Sequence, residues 1–490
     1  MRPSAFLPAV PESGTGLPEA FALVHGPLAH WSRVQPGAIA LSNGVEQLTF
    51  AQLHARVEQQ AQALRACRAP ATVLLEGSGP GLERIVEFLA VIASGRCAAV
   101  ADPDWPAGVQ ARIAAQFAQQ PAADMPEPGP ETPFYIGFTS GSSGLPKGFR
   151  RHHRSWAESF RVSAQDLGAA AAQRVFAPGR LSHSLFLFAA LLGLWSGAGV
   201  EIQERFSAGR ALARLQSGTF PLLVAVPSQL QLMLEWAQRR AVQPIDGVAL
   251  LLISGARWMR ERTPALQALF PKARIVEFYG ASEASYIAWM QADPAAPAQA
   301  VGRPFSNVEL HIGTDPLEGK SSAGPGLIWV RSPMLFMDYV GHSDGSAALR
   351  RGEWLSVRDI GHRDAQGRLH LLGRESRMLV TQGKNLFPEE VEARLQAHPA
   401  LGQVSLHGVA DGLRGHAVHA VLQSMDDVCP MPDALALAQW CRETLEAYKA
   451  PRQWWLWQGA WPLTASGKTD HAAIARALAD PGAHPLQPWP

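Results

Sequence analysis

The run Phe138-Thr139-Ser140-Gly141-Ser142-Ser143-Gly144-Leu145-Pro146-Lys147-Gly148 follows directly on an apolar segment, Phe134-Tyr135-Ile136. Glycines free the backbone to curl, so that successive N–H groups point at one anion. The hydroxyls of Thr139, Ser140, Ser142 and Ser143 donate further hydrogen bonds, and Lys147 supplies a point charge. A strand entering such a loop makes a cradle for a polyphosphate. It is not a Walker loop, because Gly148 follows the lysine where that motif requires Ser or Thr.

Outward from this loop the pattern is α/β. Residues 72–75 and 98–101 read as apolar strands flanking a helix over 82–93, and a βαβ unit implies parallel pairing. Gly77, Gly79 and Gly81 between them read as an ordinary turn, since Leu82 stands where a dinucleotide fingerprint needs its last glycine. Residues 49–67 read as a helix capped by Thr49, with Leu53, Val57, Ala61 and Leu64 on one face. A Pro/Ala/Glu-rich connector, 121–133, leads into the loop. Further strands at 222–226, 248–253 and 274–278 run into small-residue turns: Pro227-Ser228, Ser254-Gly255-Ala256 and Tyr279-Gly280-Ala281-Ser282. Ligands in open α/β sheets bind past the carboxyl ends of strands, so these turns are expected to wall one pocket.

After Arg374 the elements shorten. A strand at 378–381, a helix from Pro388, strands near 404–409 and 417–422, a helix near 434–447 and a Trp-rich strand at 453–457 describe a separate α+β unit. A polar, proline-containing tail follows, with no carrier-protein module. The expected division is a large domain over 1–374, a hinge at 375–377 and a small unit over 378–490.

Bulk properties narrow the function. A chain of 490 residues exceeds one ordinary core. With 43 basic against 42 acidic side chains, nothing marks a nucleic-acid binder. Four scattered cysteines, Cys67, Cys97, Cys429 and Cys441, form neither a disulfide frame nor a zinc site. The N-terminus lacks the apolar core of a signal peptide, and residues 185–200 are too short to span a bilayer and read as a buried helix. A cytoplasmic location is expected.

Six segments, in order, resemble the adenylate-forming superfamily: acyl-CoA synthetases, luciferases and the adenylation domains of peptide synthetases. The first is the opening loop. The second is Tyr279-Gly280-Ala281-Ser282-Glu283, similar to the family's Tyr-Gly-x-Thr-Glu with serine keeping the hydroxyl. The third is Asp359 in Val357-Arg358-Asp359-Ile360-Gly361, where Arg358 stands in place of a usual glycine. The fourth is Gly373-Arg374, followed by Ser376 where an aspartate or lysine hinge is common. The fifth is Gly383 to Glu392, similar to Gly-x-x-x-x-Pro-x-Glu-Val-Glu. The last is Pro462-Leu463-Thr464-Ala465-Ser466-Gly467-Lys468. The resemblance covers essentially the whole chain, including Leu48-Thr49-Phe50-Ala51-Gln52-Leu53 near its start.

The resemblance implies a large N-terminal α/β domain with parallel sheets flanked by helices and a mobile C-terminal lid. It implies a two-step reaction, in which a carboxylate attacks the α-phosphorus of ATP and a thiol then attacks the acyl-AMP. Ser140, Gly141, Ser142, Ser143, Gly144 and Lys147 would hold phosphates; Ser254, Gly255, Ala256, Tyr279, Gly280, Ser282, Asp359 and Arg374 would line the rest of the nucleotide site. Glu283 and Thr139 would hold Mg²⁺, to which a carboxylate is suited. Lys468 would bridge the carboxylate and the α-phosphate, His183 would gate the acid site, and Gly383 would shape a thiol tunnel once the lid turns at Ser376. Peptide-synthetase relatives carry an aspartate shortly after the His183 position, and no acidic side chain lies in Ser184-Leu185-Phe186-Leu187-Phe188-Ala189, which argues against an amino acid and toward a fatty or aryl acid, an aliphatic chain being favoured. CoA is the expected acceptor. Two rivals are an enzyme loading a carrier-protein thiol and a degenerate nucleotide binder. The run Arg150-Arg151-His152-His153-Arg154 reads as a solvated helix start, not a CoA-phosphate site, and Trp454, Trp455 and Trp457 read as packing residues.

Overall fold

The computed structural model describes residues 19–76, 81–118, 121–139, 146–203, 205–319, 321–322, 324–341, 348–412, 415–425, 430–464 and 468–490. The loop residues Ser140, Gly141, Ser142, Ser143 and Gly144 lie outside them, as do Gly77, Gly79, Cys429, Ser466 and Gly467.

The βαβ unit is present as strand Thr72–Leu75, helix Gly81–Ala93 and strand Cys97–Val100, with the strands parallel. The sheet continues through Pro133–Thr139 and Lys147–His152, an antiparallel pair, to the short strand Asp338–Tyr339. Thr139 pairs with Lys147, so a ladder pins both ends of the loop. The helix after Thr49 runs Phe50–Ala66, and Thr49 and Gln52 form the capping box its sequence offers.

A second, 15-stranded sheet has a parallel centre in the order Val200–Ile202, Val175–Ala177, Leu222–Ala225, Leu250–Ile253, Arg274–Ala281. Leu222–Ala225 and Leu250–Ile253 are buried throughout, as continuous apolar strands of a covered parallel sheet should be. The last of the five runs longer than its sequence suggests. Tyr279, Gly280 and Ala281 are strand, not turn, and pair with Ser285–Gln291. The bend is displaced onto residues 282–284. Gly280 permits this closeness, since a Cβ there would sit 2.2 Å from the Ser285 carbonyl oxygen. The greasy 185–200 stretch contains the helix Ser184–Trp195, buried from Phe186 onward. Among the described residues no helix is long and apolar enough to cross a membrane.

The third sheet has six strands, all after residue 378, and its own apolar core around Leu386, Val391, Leu395, Val404, Leu422 and Trp454. Its helix begins at Pro388 as the proline predicts, and runs to Gln396. Two expectations fail here. The helix from Ala434 stops at Arg442, and a 3₁₀ turn, Ala447–Lys449, instead brings the Lys449 ammonium 2.8 Å from Glu390. The polar tail is structured: helix His471–Ala479, capped by Asp470, precedes strand Leu486–Pro488 on the edge of Gln453–Trp457. Proline hid that strand, but an edge position tolerates it. The tail also makes Gln453–Trp457 an interior strand, with Trp454 and Trp457 buried.

Candidate active site

The hairpin carrying Glu283 is held from behind by an arginine that the sequence reading assigned to solvent. Arg151 is only 1 % exposed, and His153 beside it is equally buried. Arg150, Arg151 and His152 belong to the strand Lys147–His152, and the next helix starts at His153. The Arg151 guanidinium donates to the Ser282 carbonyl at 2.5 Å, to Ser285 Oγ at 2.6 Å and to the Met334 carbonyl. Burial lowers its pKa to about 9, opposed by the charge of Glu283. A guanidinium's fixed fork can reach three acceptors at once, which explains arginine here. Arg150 turns the other way and forks onto Asp338 at 3.0 and 2.6 Å. Tyr339, next to Asp338, donates its hydroxyl to Glu283 Oε1 at 2.7 Å. Glu283 is therefore oriented from two strands of the first sheet while sitting on the second.

Asp359 opens the strand Asp359–Arg363, and Arg374 ends its partner, Leu369–Arg374, directly opposite. Arg374 Nε lies 3.3 Å from Asp359 Oδ1, and the Tyr279 hydroxyl donates to Oδ2 at 2.5 Å. Burial raises the Asp359 pKa, opposed by Arg374 and by the Tyr279 hydrogen bond. Burial, then the Asp359 charge, raises that of Tyr279. Three predicted nucleotide-site residues from separate segments thus form one polar cluster. The Arg358 position keeps the backbone that a glycine would supply. Its φ is +64°, in the left-handed region.

Lys468 enters this cluster from the C-terminal unit. Its pKa is lowered by dehydration and then by Arg374, with Glu283 and Asp359 pulling the other way. All three of those groups were predicted site residues. Gly383 does not join them. It forms the turn between strands Leu379–Thr381 and Lys384–Leu386, with φ +74°, and among the described residues no atom beyond its chain neighbours lies within 4 Å of where its Cβ would be. The unit is thus posed with Lys468 toward this polar cluster and with Gly383 exposed at a hairpin tip.

Ser254 follows strand Leu250–Ile253, and its hydroxyl donates to the Phe278 carbonyl at 3.0 Å, joining neighbouring strand ends. Gly255 and Ala256 are exposed beyond it. Thr139 and Lys147 stand side by side at the mouth of the phosphate-loop segment.

His183 caps the helix Ser184–Trp195, and its Nε2 lies 3.8 Å from Asp102 Oδ2. Asp102 is 7 % exposed and follows strand Cys97–Val100. The sequence window after His183 could not reveal this carboxylate, which lies about 80 residues earlier in the chain. The apolarity of that window also has another cause. Phe186, Leu187, Phe188 and Ala189 are buried in the main core, so packing by itself accounts for their apolarity.

These features define an adenylate-forming enzyme fold, with a polar cluster of Tyr279, Asp359 and Arg374 that Lys468 approaches from the C-terminal domain. The AMP-binding enzyme family matches residues 69–340, and the AMP-binding enzyme C-terminal domain matches residues 390–468. The chain belongs to the AMP-binding enzyme family. Among curated relatives, an uncharacterized acyl-CoA ligase of Bacillus subtilis, YhfT, is 31% identical over 483 residues, covering 91% of this chain and 96% of the relative. A putative long chain fatty acid-CoA ligase of Staphylococcus epidermidis, VraA, is 32% identical over 283 residues, 57% of this chain and 58% of the relative. In fold the chain is similar to the o-succinylbenzoate coenzyme A synthetase of Bacillus subtilis in complex with AMP, with TM-score 0.79 at 21% identity, covering 94% of this chain and 98% of that one. The chain is an enzyme of the AMP-forming acid–CoA ligase class.

Proposed function

We propose that the enzyme activates an aliphatic carboxylic acid as acyl-AMP and transfers the acyl group to CoA. The observation that carries the chemistry is the convergence of Glu283, Asp359, Arg374 and Lys468, from four segments in two units, on one electrostatic cluster. Carboxylates are poor electrophiles, and adenylation installs a good leaving group. The protein's task is positioning and charge stabilisation at phosphorus. Thr139 through Lys147 hold the β- and γ-phosphates. Asp359 keeps lone pairs beyond its bonds to Tyr279 and Arg374, and these accept the ribose hydroxyls. Lys468 lies against charge that develops between the carboxylate and the α-phosphate; burial, then the charge of Arg374, lowers its pKa.

Glu283 and Thr139 fit Mg²⁺, which uses one or two carboxylates plus phosphate oxygens and water. Tyr339 holds Glu283 by Oε1, so the carboxylate is already oriented. When bound, the cation neutralises phosphate charge. The residues from 378 onward act as a lid turning on 375–377, so that the Gly383 hairpin replaces Lys468 for thiol transfer.

Similarity to VraA supports a fatty acid. A substrate ammonium is disfavoured because Asp102, the carboxylate beside His183, is 7 % exposed and its Oδ1 already accepts from the Asp104 N–H. The test is acid-dependent pyrophosphate exchange across fatty, aryl and amino acids, followed by AMP release with and without CoA. Exchange with fatty acids and CoA-dependent AMP release are expected. Exchange confined to aryl acids would replace the substrate class. Exchange without CoA turnover would direct the acyl group to a carrier-protein thiol.

A further inference from the structure

The three residues of the pivot are anchored unequally. Glu375 is tied to the large body twice by one residue. Its N–H donates to the Arg358 carbonyl at 2.9 Å, and its carboxylate accepts from Arg358 Nη1 at 2.7 Å. Arg377 is tied to the C-terminal unit. Its guanidinium donates to Glu389 at 3.0 Å, to Glu392 at 2.6 Å and to the Leu406 carbonyl at 3.3 Å. Ser376 lies between the two anchors.

Arg358 is an odd choice for its position. A φ of +64° suits glycine, and a side chain there is strained. The guanidinium gives a reason for it, since a glycine would shape the turn but could not reach Glu375. The Arg358 N–H is fixed in turn by Ser356 Oγ at 3.1 Å, and the next residue is the site carboxylate Asp359.

We infer that Arg358 is a positioning residue that clamps Glu375 to the large body, so that rotation of the lid is confined to Ser376. The inference rests on the two-step reading above. The posture seen here has independent support: a Cβ at Gly373 would lie 2.3 Å from Glu389 Oε2, so the lid helix already presses on the body. Losing the clamp therefore leaves this posture, and acyl-AMP formation, little changed. The rotated posture depends on the pivot turning about one residue, and thioester formation suffers.

The test uses the full chain with Arg358→Gly, Arg358→Lys, Glu375→Gln and the charge-swapped pair Arg358→Glu/Glu375→Arg. Spin labels at exposed Arg239→Cys and Thr444→Cys, in a Cys67→Ser/Cys429→Ser background, report the spread of body–lid distances. With AMP and CoA bound, where the rotated posture is populated, Arg358→Gly and Glu375→Gln are expected to broaden the distribution; Arg358→Lys and the charge swap are expected to narrow it again. In single turnover, Arg358→Gly should slow thioester formation from preformed acyl-AMP about fivefold and acyl-AMP formation less than about twofold. An unchanged distance distribution overturns the clamp, as does equal slowing of both half-reactions. A broadened distribution with no acid-dependent exchange in the parent enzyme would overturn the ligase reading and leave the clamp standing.

Discussion

The guanidinium of Arg151 donates to the carbonyl of Ser282, one residue before the carboxylate assigned to the metal. This contact crosses from one sheet to the other and fixes where Glu283 points. Arg151→Lys keeps a charge but cannot span Ser282, Ser285 and Met334 together. Each buried acceptor left unmet costs about 1–3 kcal/mol. The variant should lose about 2–4 kcal/mol of stability by denaturant unfolding. Its pyrophosphate exchange should fall by about tenfold or more even at temperatures where it is folded. Unchanged exchange in a folded variant would show that Glu283 is oriented without this arginine.

What could be read beforehand, and what could not, follows from range. Thr49 with Gln52, Pro388 with its helix, and Tyr279 to Glu283 are local signals, written in adjacent residues. Arg151 was misread because a run of basic residues looks solvated until the partners, Ser282 and Met334, are known, and these lie more than 130 residues away. Asp102 was missed for the same reason. The final strand was missed because two prolines flank its central Gln487, and only pairing with Trp455 and Trp457 makes it a strand. The stretch after His183 is legible as a buried helix, but its apolarity says little about the acid, because apolarity does not distinguish a core from a pocket lining.

Tyr279→Phe isolates one bond of the nucleotide cluster. The ring is kept, but Asp359 Oδ2 loses its donor while remaining buried. A hydrogen bond to a charged group contributes about 1.5–3 kcal/mol. The KM for ATP should therefore rise by about tenfold or more, with the KM for the acid little changed. A rise in both would mean that the cluster spans the acid site as well.

Lys468 gives a pH prediction. Its lowered pKa means that the ammonium deprotonates at lower pH than an ordinary lysine, near 10.5. Its charge is present below that pKa and lost as pH rises through it. Pyrophosphate exchange should fall on an alkaline limb that starts below the usual lysine range. Lys468→Arg should retain partial exchange and move the limb upward, because a guanidinium does not titrate there. Lys468→Ala should lower exchange by about a hundredfold while sparing thioester formation from added acyl-AMP. A limb that stays in place in Lys468→Arg would belong to another group.

The C-terminal unit carries a second titration. Ser405 Oγ lies 2.8 Å from both His407 Nε2 and His471 Nδ1. Burial, then the positive charge of Arg377, lowers both histidines to about 4. Between that pH and the unfolded value near 6.5, the unfolded chain binds more protons than the folded lid. Stability therefore rises with pH across this window and is lost as pH falls from about 6.5 toward 4. Glu392 and Arg377 face the same cluster: Glu392 pulls both histidine pKa values upward, and its charge holds Arg377 in place. Unfolding of the C-terminal unit, followed by hydrogen exchange at the amides of strand Gln453–Trp457, should shift to lower temperature by several degrees from pH 7 to pH 5. His407→Gln keeps a hydrogen-bonding side chain beside Ser405 and removes one titrating group, so it should flatten this dependence by about half. An equally steep dependence in that variant would assign the acid sensitivity to groups outside the Ser405 cluster.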